Sequence, residues 1–273
     1  MTALREAIDG GIVGERLWIY SNYHCNLQCS YCLIDSSPVA ERRSLTAARM
    51  IAMAEEAARL GFLSLGVTGG EPFMLPHMPE TLAWMAGYLP VLVLTNGTLF
   101  TDKLMTRVAA LADLPVTIQM SLDHPDAAAN DAQRSAGSHA KVVAAIARLR
   151  QAGIRVRLAT TGHPGGERDR LCRLHSELGV DDRDHVIRPI VRRGRAHQHD
   201  AAIHAGESNL PPELTITADG AFWSPFGPSV TGGRLDTDLL VCRTTSPLRH
   251  PVDHFLRQVA ARPPGADAVL GIR

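Results

Sequence analysis

Between residues 16 and 193 the chain alternates short apolar runs with longer amphipathic stretches. Runs of strand length cover residues 17–21, 63–68, 91–95, 116–122, 156–160 and 186–191. Apolar positions at helical spacing mark stretches such as 46–60, 101–111 and 140–152. The 46–60 stretch opens near Ser44, a capping residue type, and stops at Gly61, which suits a left-handed terminator. Apolar runs joined by helices are the pattern of a parallel sheet with crossover helices. The units are fewer than a closed barrel needs, so the pattern predicts an open, partial (β/α)6 barrel or a doubly wound sheet.

After residue 193 the texture changes. Residues 195–212 are polar, His-rich and proline-containing, and read as a linker. Residues 213–223 alternate around Asp219-Gly220, a hairpin signal. A further short strand is predicted at 239–241 and a terminal helix at 252–261. The main boundary falls near residue 195, giving a core of 1–195 and a linker with a short extension over 196–273.

Composition narrows the classes. The 273 residues carry 28 Lys+Arg against 28 Asp+Glu, with scattered arginines and 5% aromatic content, so nothing favours a nucleic-acid partner. No apolar run approaches the roughly 20 residues of a membrane span. Residues 1–15 are charged throughout and show no secretory h-region. An odd set of five cysteines then reads as cytoplasmic and reduced, not as a disulfide framework.

Three of those cysteines, Cys25, Cys29 and Cys32, form a CxxxCxxC directly after the first strand, at the sheet edge where α/β folds hold their sites. The spacing lets a short loop wrap three thiolates around one inorganic centre. A polar, turn-rich loop is a poor place for buried core cysteines. Structural zinc wants a fourth ligand, which neither His24, adjacent to Cys25, nor the isolated Cys172 and Cys242 supplies at matching spacing. An electron-carrying cubane would show a fourth cysteine nearby. Three thiolates on a cubane leave one iron open.

These residues resemble the radical SAM superfamily, whose signature is CxxxCxΦC with an aromatic at Φ, filled here by Tyr31. Gly69-Gly70-Glu71-Pro72, ending the second strand, is similar to the family's GGEP motif; glycine there permits close backbone approach to a ligand. Thr95-Asn96-Gly97-Thr98 and Ser121-Leu122-Asp123 match strand ends that line the cofactor site. The stretch from Asn130 to Ser138 resembles the "hD..R…Gs" motif of peptide-modifying members, with Asp131 and Arg134 in place. Arg188 ends the sixth strand and is expected to face the same mouth.

The resemblance implies the α/β partial (β/α)6 TIM-like barrel, with a short C-terminal β-hairpin/helix appendage. It implies one [4Fe–4S] cluster on Cys25, Cys29 and Cys32 and S-adenosyl-L-methionine (SAM) on Tyr31, Gly69, Gly70, Glu71, Pro72, Thr95, Asn96, Ser121, Asp123, Arg134 and Arg188. Arg134 would hold the methionine carboxylate, and Tyr31 with the 95–98 loop the adenosine. No catalytic side chain is expected beyond the cofactors. The cluster's electron would come from an external donor such as flavodoxin or ferredoxin. SAM cleavage would give a 5′-deoxyadenosyl radical that takes hydrogen from a substrate, first a ribosomally made peptide, second a small molecule or nucleotide. A non-catalytic iron–sulfur carrier or scaffold is the competing class.

The motif order also resembles the SPASM/twitch branch, which carries a cysteine-rich extension. Here Ile216 to Gly220 and Gly232 to Leu235 follow its outline, but Trp223-Ser224-Pro225-Phe226 stands where a cysteine is usual. The expectation is a reduced extension without an auxiliary cluster, or an unrelated hairpin closing the barrel's open side. Cys172 is expected to be an ordinary buried residue, and His197, His199 and His204 to belong to a solvated linker. His24 either tunes the cluster or serves the turn.

Overall fold

A computed structural model describes residues 2–162, 167–198, 202, 211–224, 226–231 and 234–261. His199, His204, Pro225, Gly232 and Gly233 lie outside these residues, as does most of the 195–212 stretch. Helix α1 (Ala3–Asp9) precedes β1 (Arg16–Tyr20), and then come α2 (Ala47–Leu60), β2 (Ser64–Thr68), α3 (Met78–Ala86), β3 (Val91–Thr95) and α4 (Asp102–Val108). The core continues through β4 (Val116–Ser121), α5 (Ala127–Gln133), α6 (Ser138–Gln151), β5 (Arg155–Thr161), α7 (Arg168–Glu177) and β6 (His185–Arg188). The C-terminal part contributes β7 (Thr215–Ile216), β8 (Ala221–Phe222), β9 (Val230–Thr231), β10 (Arg234–Leu235), β11 (Leu240–Cys242) and α8 (Arg249–Ala260).

Strands β1 to β6 lie side by side in chain order and all pair in parallel. This order decides between the two architectures that the pattern allows. A doubly wound sheet reverses its strand order at a switch point. Here every step moves one place in the same direction. With right-handed crossovers the helices stack on one face and the sheet curls around the other, as in a partial TIM-like barrel.

The helix-facing side of the sheet supplies the core. Leu17 and Ile19, Leu65 and Val67, Val91 and Val93, Ile118 and Met120, and Val156 and Leu158 alternate along successive strands and pack into one cluster. Helix α2 meets them with Met50, Met53, Ala54 and Ala57, a stripe at three- and four-residue spacing, all fully buried. Each such apolar side chain contributes roughly 1.5–3 kcal/mol on burial, less for alanine. The cap of α2 is Thr46, whose Oγ1 accepts from the Arg49 N–H at 3.2 Å. Ser44 instead bridges to Asn22 across the chain. Gly61 does terminate the helix, at φ +105°. Strand β6 stops at Arg188, short of residue 191, because Pro189 has no N–H to give the ladder.

The Asp219-Gly220 hairpin forms between β7 and β8, and it continues the barrel sheet. Strand β7 runs parallel to β1 on the edge opposite β2, and β8 and β11 follow antiparallel. Helix α8 closes this end, with Phe255 5.1 Å from Trp223 between ring centroids.

One buried group weakens the core in acid. His175 of α7 is fully buried, its ring edge-on to His185 at 4.3 Å, and neither of its ring nitrogens has a partner. Burial, followed by the neighbouring His185, pushes its pKa down to about 4. Unfolded, the same imidazole titrates near 6.5, so the unfolded chain binds the extra proton between the two values and stability falls as pH drops through that window. Denaturant titrations should show His175→Phe retaining stability that the parent loses between pH 6.5 and 4, a difference of about 3 kcal/mol at the acid end. Parallel losses in the two proteins would contradict this assignment.

Candidate active site

The cysteine loop leaves β1 and lies across the C-terminal ends of the neighbouring strands. Cys25 is buried, and Cys29 and Cys32 are half-buried; all three thiols are free. The Cys25 sulfur accepts from the Leu27 N–H at 3.4 Å and from Asn96 Nδ2 at 3.6 Å, and the Cys32 sulfur accepts from the Ser36 N–H at 3.3 Å. Burial pushes the Cys25 thiol up to about 12, with the charges of Glu71 and the other two cysteines adding to the effect. Burial also raises Cys29, against the opposing charge of Arg134. Thiols held in this way become thiolates only when a positive centre replaces their protons.

Among the described residues, no three His, Cys, Asp or Glu side chains converge where a single ion would sit. Three thiols presented by one loop suit three corners of a cluster, and the N–H donors aimed at the Cys25 and Cys32 sulfurs are those a cluster thiolate uses. The donor set therefore fits a [4Fe–4S] centre.

The glycine motif holds this loop in place. A Cβ on Gly70 would stand 2.1 Å from the His24 carbonyl oxygen, and one on Gly69, at φ +141°, 2.5 Å from that of Asn22. The close approach that glycine allows is thus made by the cysteine loop's own backbone. Hydrogen bonds follow from the contact. The Gly70 N–H donates to Asn22 O at 2.8 Å and the Glu71 N–H to His24 O at 3.1 Å, while Asn22 Nδ2 donates to the carbonyls of His24 and Glu71. His24 is itself buried and serves this turn.

Glu71 carries the connection to the next strand. Its fully buried carboxylate accepts from Phe73 N at 3.0 Å, Thr95 Oγ1 at 2.8 Å and Asn96 N at 2.7 Å. Burial raises its pKa, opposed by these three donors. Asn96 then reaches back to the loop, donating to Asn26 Oδ1 at 2.9 Å, and Asn26 Nδ2 donates to Thr98 Oγ1 at 2.9 Å. Pro72 opens a short 3-10 turn after Glu71 and is buried. Ser121 ends β4 on the same edge.

A second knot forms around Asp123, whose side chain is fully buried. Its Oδ2 receives Arg134 Nη1 at 3.0 Å and the hydroxyl of Tyr31, and its Oδ1 receives the Thr161 N–H at 2.8 Å. Arg134 Nη1 also meets the Tyr31 hydroxyl at 2.5 Å. Arg134 is only 7% exposed, so it is no solvated surface residue. Its Nε is buried without a partner, and its charge acts on Cys29. The Tyr31 ring packs on Ile190, Ala196 and Ala202.

The motif around Arg134 has a structural logic. Asp131 accepts from Ser138 Oγ at 3.0 Å and the His139 N–H at 2.8 Å, and it also binds the Gly137 N–H. It thereby ties α5 to the first turn of α6, with Asn130 bonding Ser138 Oγ and the Asp123 N–H alongside. These contacts hold Arg134, the residue that ends α5, against Asp123. Arg188 ends β6, within electrostatic reach of Tyr20, Arg157, Arg16 and Glu213.

Arg195 is a site residue that the sequence pattern does not reveal. Its guanidinium donates to the carbonyls of Cys29 and Ser36 and to Asp35 Oδ1 at 3.1 Å, and its N–H donates to Cys32 O at 2.9 Å. The segment that reads as the start of a linker is a clasp on the cysteine loop. An arginine flanked by glycine and alanine carries no periodicity that would have marked it. His197 is exposed.

The family model for the radical SAM superfamily matches residues 19–177. Mycofactocin maturase MftC of Mycobacterium ulcerans is 32% identical over 174 residues, covering 62% of this chain and 46% of the relative. The chain thus spans about half the length of the curated relatives it matches of this kind. Streptococcus suis SuiB bound to its precursor peptide SuiA superposes with a TM-score of 0.58 at 16% identity, over 74% of this chain and 46% of SuiB. Native anSMEcpe with bound AdoMet gives 0.65 at 12% identity, over 89% and 82%. At these identities both structures speak for the fold alone.

The Arg195 clasp predicts a measurable loss. Arg195→Ala should fold with an unchanged circular dichroism spectrum, yet retain less than about half of the parent's iron after anaerobic reconstitution and desalting, because two carbonyls of the loop lose charged donors. Parent-like iron retention would contradict the clasp.

Proposed function

The chain belongs to the radical SAM superfamily, and on that premise we propose that it cleaves SAM reductively and uses the product to abstract hydrogen from a peptide. The observation that carries this reading is the meeting of three thiols, the Glu71 frame and the buried Arg134 at one sheet edge. Cys25, Cys29 and Cys32 hold one [4Fe–4S] cluster, and Tyr31, Gly69 to Pro72, Thr95, Asn96, Ser121, Asp123, Arg134 and Arg188 are the candidates for SAM. Together, when bound, these cofactors supply a one-electron cleavage that yields a 5′-deoxyadenosyl radical.

The chain's own residues prepare that chemistry. Arg134 stands beside Cys29 with an unpartnered Nε, a cation ready for a carboxylate at the cluster's open corner. Asp123 and Tyr31 hold its guanidinium in place. Asn96 fixes the Cys25 side of the loop, and the packing of Tyr31 on Ile190, Ala196 and Ala202 keeps that flank apolar. An external donor such as flavodoxin or ferredoxin supplies the electron.

The peptide reading draws on relatives: MftC is named a maturase, and SuiB is solved with a precursor peptide. We assign residues 1–195 to the SAM-cleaving core and 196–273 to an extension without an auxiliary cluster, since Cys242 alone remains there.

Anaerobic reconstitution with SAM and dithionite should give 5′-deoxyadenosine above a no-protein control. Single Cys→Ala changes at 25, 29 or 32 should lower the rate by at least about a hundredfold, since each removes a cluster ligand. Cluster formation without any cleavage product would sink the catalytic reading.

A further inference from the structure

Two aspartates of the C-terminal appendage reach arginines that flank the cysteine loop. Asp236 follows β10 and is fixed by its own ribbon. Its N–H donates to Ser229 O at 2.8 Å, and its Oδ1 accepts from the Asp238 N–H at 2.9 Å. Its Oδ2 accepts from Arg193 Nη2 at 2.7 Å, and the same nitrogen donates to Gly227 O at 3.2 Å. The Arg193 side chain is only 2% exposed, so this carboxylate is the counter-ion of a buried cation. Removing one partner of such a pair leaves the other charge unmet, which makes the contact costly to lose.

Within two residues that anchorage passes to the cysteine loop. Gly194, at φ +54°, lies so close that a Cβ there would stand 2.4 Å from Leu33 O and 2.7 Å from Cys32 O. Arg195 follows with its donors on Cys29, Cys32, Asp35 and Ser36. The turn between the two arginines is closed by the Ala196 N–H on Arg193 O at 3.0 Å. The pair also joins the two sides of the open sheet, since Arg193 leaves β6 at one edge while the appendage extends the other. A second pair holds the far end of the loop. Asp219, in the turn between β7 and β8, accepts from Arg43 Nη1 at 3.1 Å, both side chains being half-buried. Arg43 O accepts from the Tyr23 N–H at 3.2 Å, two residues before Cys25, and the guanidinium lies 5.0 Å from the centroid of the Tyr23 ring.

We propose that Asp236 and Asp219 are positioning residues for the cluster, through which the appendage holds the thiol-bearing loop at both of its ends. The proposal rests on the reading of Cys25, Cys29 and Cys32 as cluster ligands. Neither aspartate acts on a thiol directly; each works through an arginine whose backbone or neighbour bonds the loop. An appendage that only closed the barrel's open side would need its pairing with β1, which β7 supplies. These two ion pairs reach past β1 to the segments on either side of the thiols. Contacts of that kind orient metal ligands and set how tightly the centre is kept. The two aspartates serve different stretches, Asp236 the residues 29–36 and Asp219 the residues 22–25, so their effects separate along the chain.

Hydrogen–deuterium exchange of the full chain, with and without its cluster, tests this apart from SAM cleavage, so failure here would leave the proposed function standing. Asp236→Asn should speed amide exchange over residues 29–36 by about tenfold, and Asp219→Asn over residues 22–25, with α6 at the parent rate in both. Asp253→Asn, which removes one acidic charge from α8, should match the parent throughout. After anaerobic reconstitution and desalting, Asp236→Asn should keep less than about half of the parent's iron. The reduced cluster that remains should show g-values displaced from the parent's in electron paramagnetic resonance. If Asp236→Asn does not fold, the more exposed Asp219 pair carries the same test at the other end of the loop. Parent-like exchange of the loop in both variants would overturn the proposal. So would acceleration spread evenly over the chain, or parent-like iron and g-values despite faster exchange of the loop.

Discussion

The buried carboxylate of Glu71 is the constraint on which the mouth of the barrel depends. A charge removed from water needs donors, and here two backbone N–H groups and one hydroxyl supply them from its own turn and from the end of β3. That requirement fixes the ends of β2 and β3 against each other. The backbone of the same turn engages Asn22 and His24, and so locates the loop that carries the thiols. Cys25 inherits its position from this frame through Asn96. The motif is thus a truss first, and only through that a ligand edge.

The opposite flank is secured by different physics. Asp123 and Arg134 form a buried pair, which stabilises little by itself because both charges lose their hydration. What it provides is orientation, since each oxygen of Asp123 has a named donor and the Arg134 side is held by the Asp131 cap on α6. Arg195 then closes the loop from the segment after β6. Three separate parts of the chain therefore clamp one eight-residue stretch. Below it the barrel interior stays polar and cationic, in contrast to the apolar layer between sheet and helices.

Much of this was legible in the sequence, for physical reasons. Thiol spacing within one loop is local, so CxxxCxxC marks the centre without any tertiary knowledge. The parallel strands show because their helix-facing positions are apolar and their neighbours are mostly tolerated by a curled sheet. Other features depend on contacts that no local pattern encodes. The glycines at 69 and 70 signal close approach, but that backbone from the cysteine loop approaches them is seen only in the structure. The alternation around Asp219-Gly220 marks a hairpin, yet two-residue strands give no hint that β7 pairs with β1. Arg195 sits in a stretch that looks like linker, and Arg134, though marked by its motif, shows its burial only in the structure.

The central claim is that this frame presents one cluster with a corner left open for SAM. Electron paramagnetic resonance of the dithionite-reduced, reconstituted protein tests it most directly, alongside iron analysis. The account predicts about four irons per chain and a cluster signal whose g-values shift when SAM is added, with the shift lost in Arg134→Ala while the signal itself persists. A signal indifferent to SAM in the parent protein would contradict it.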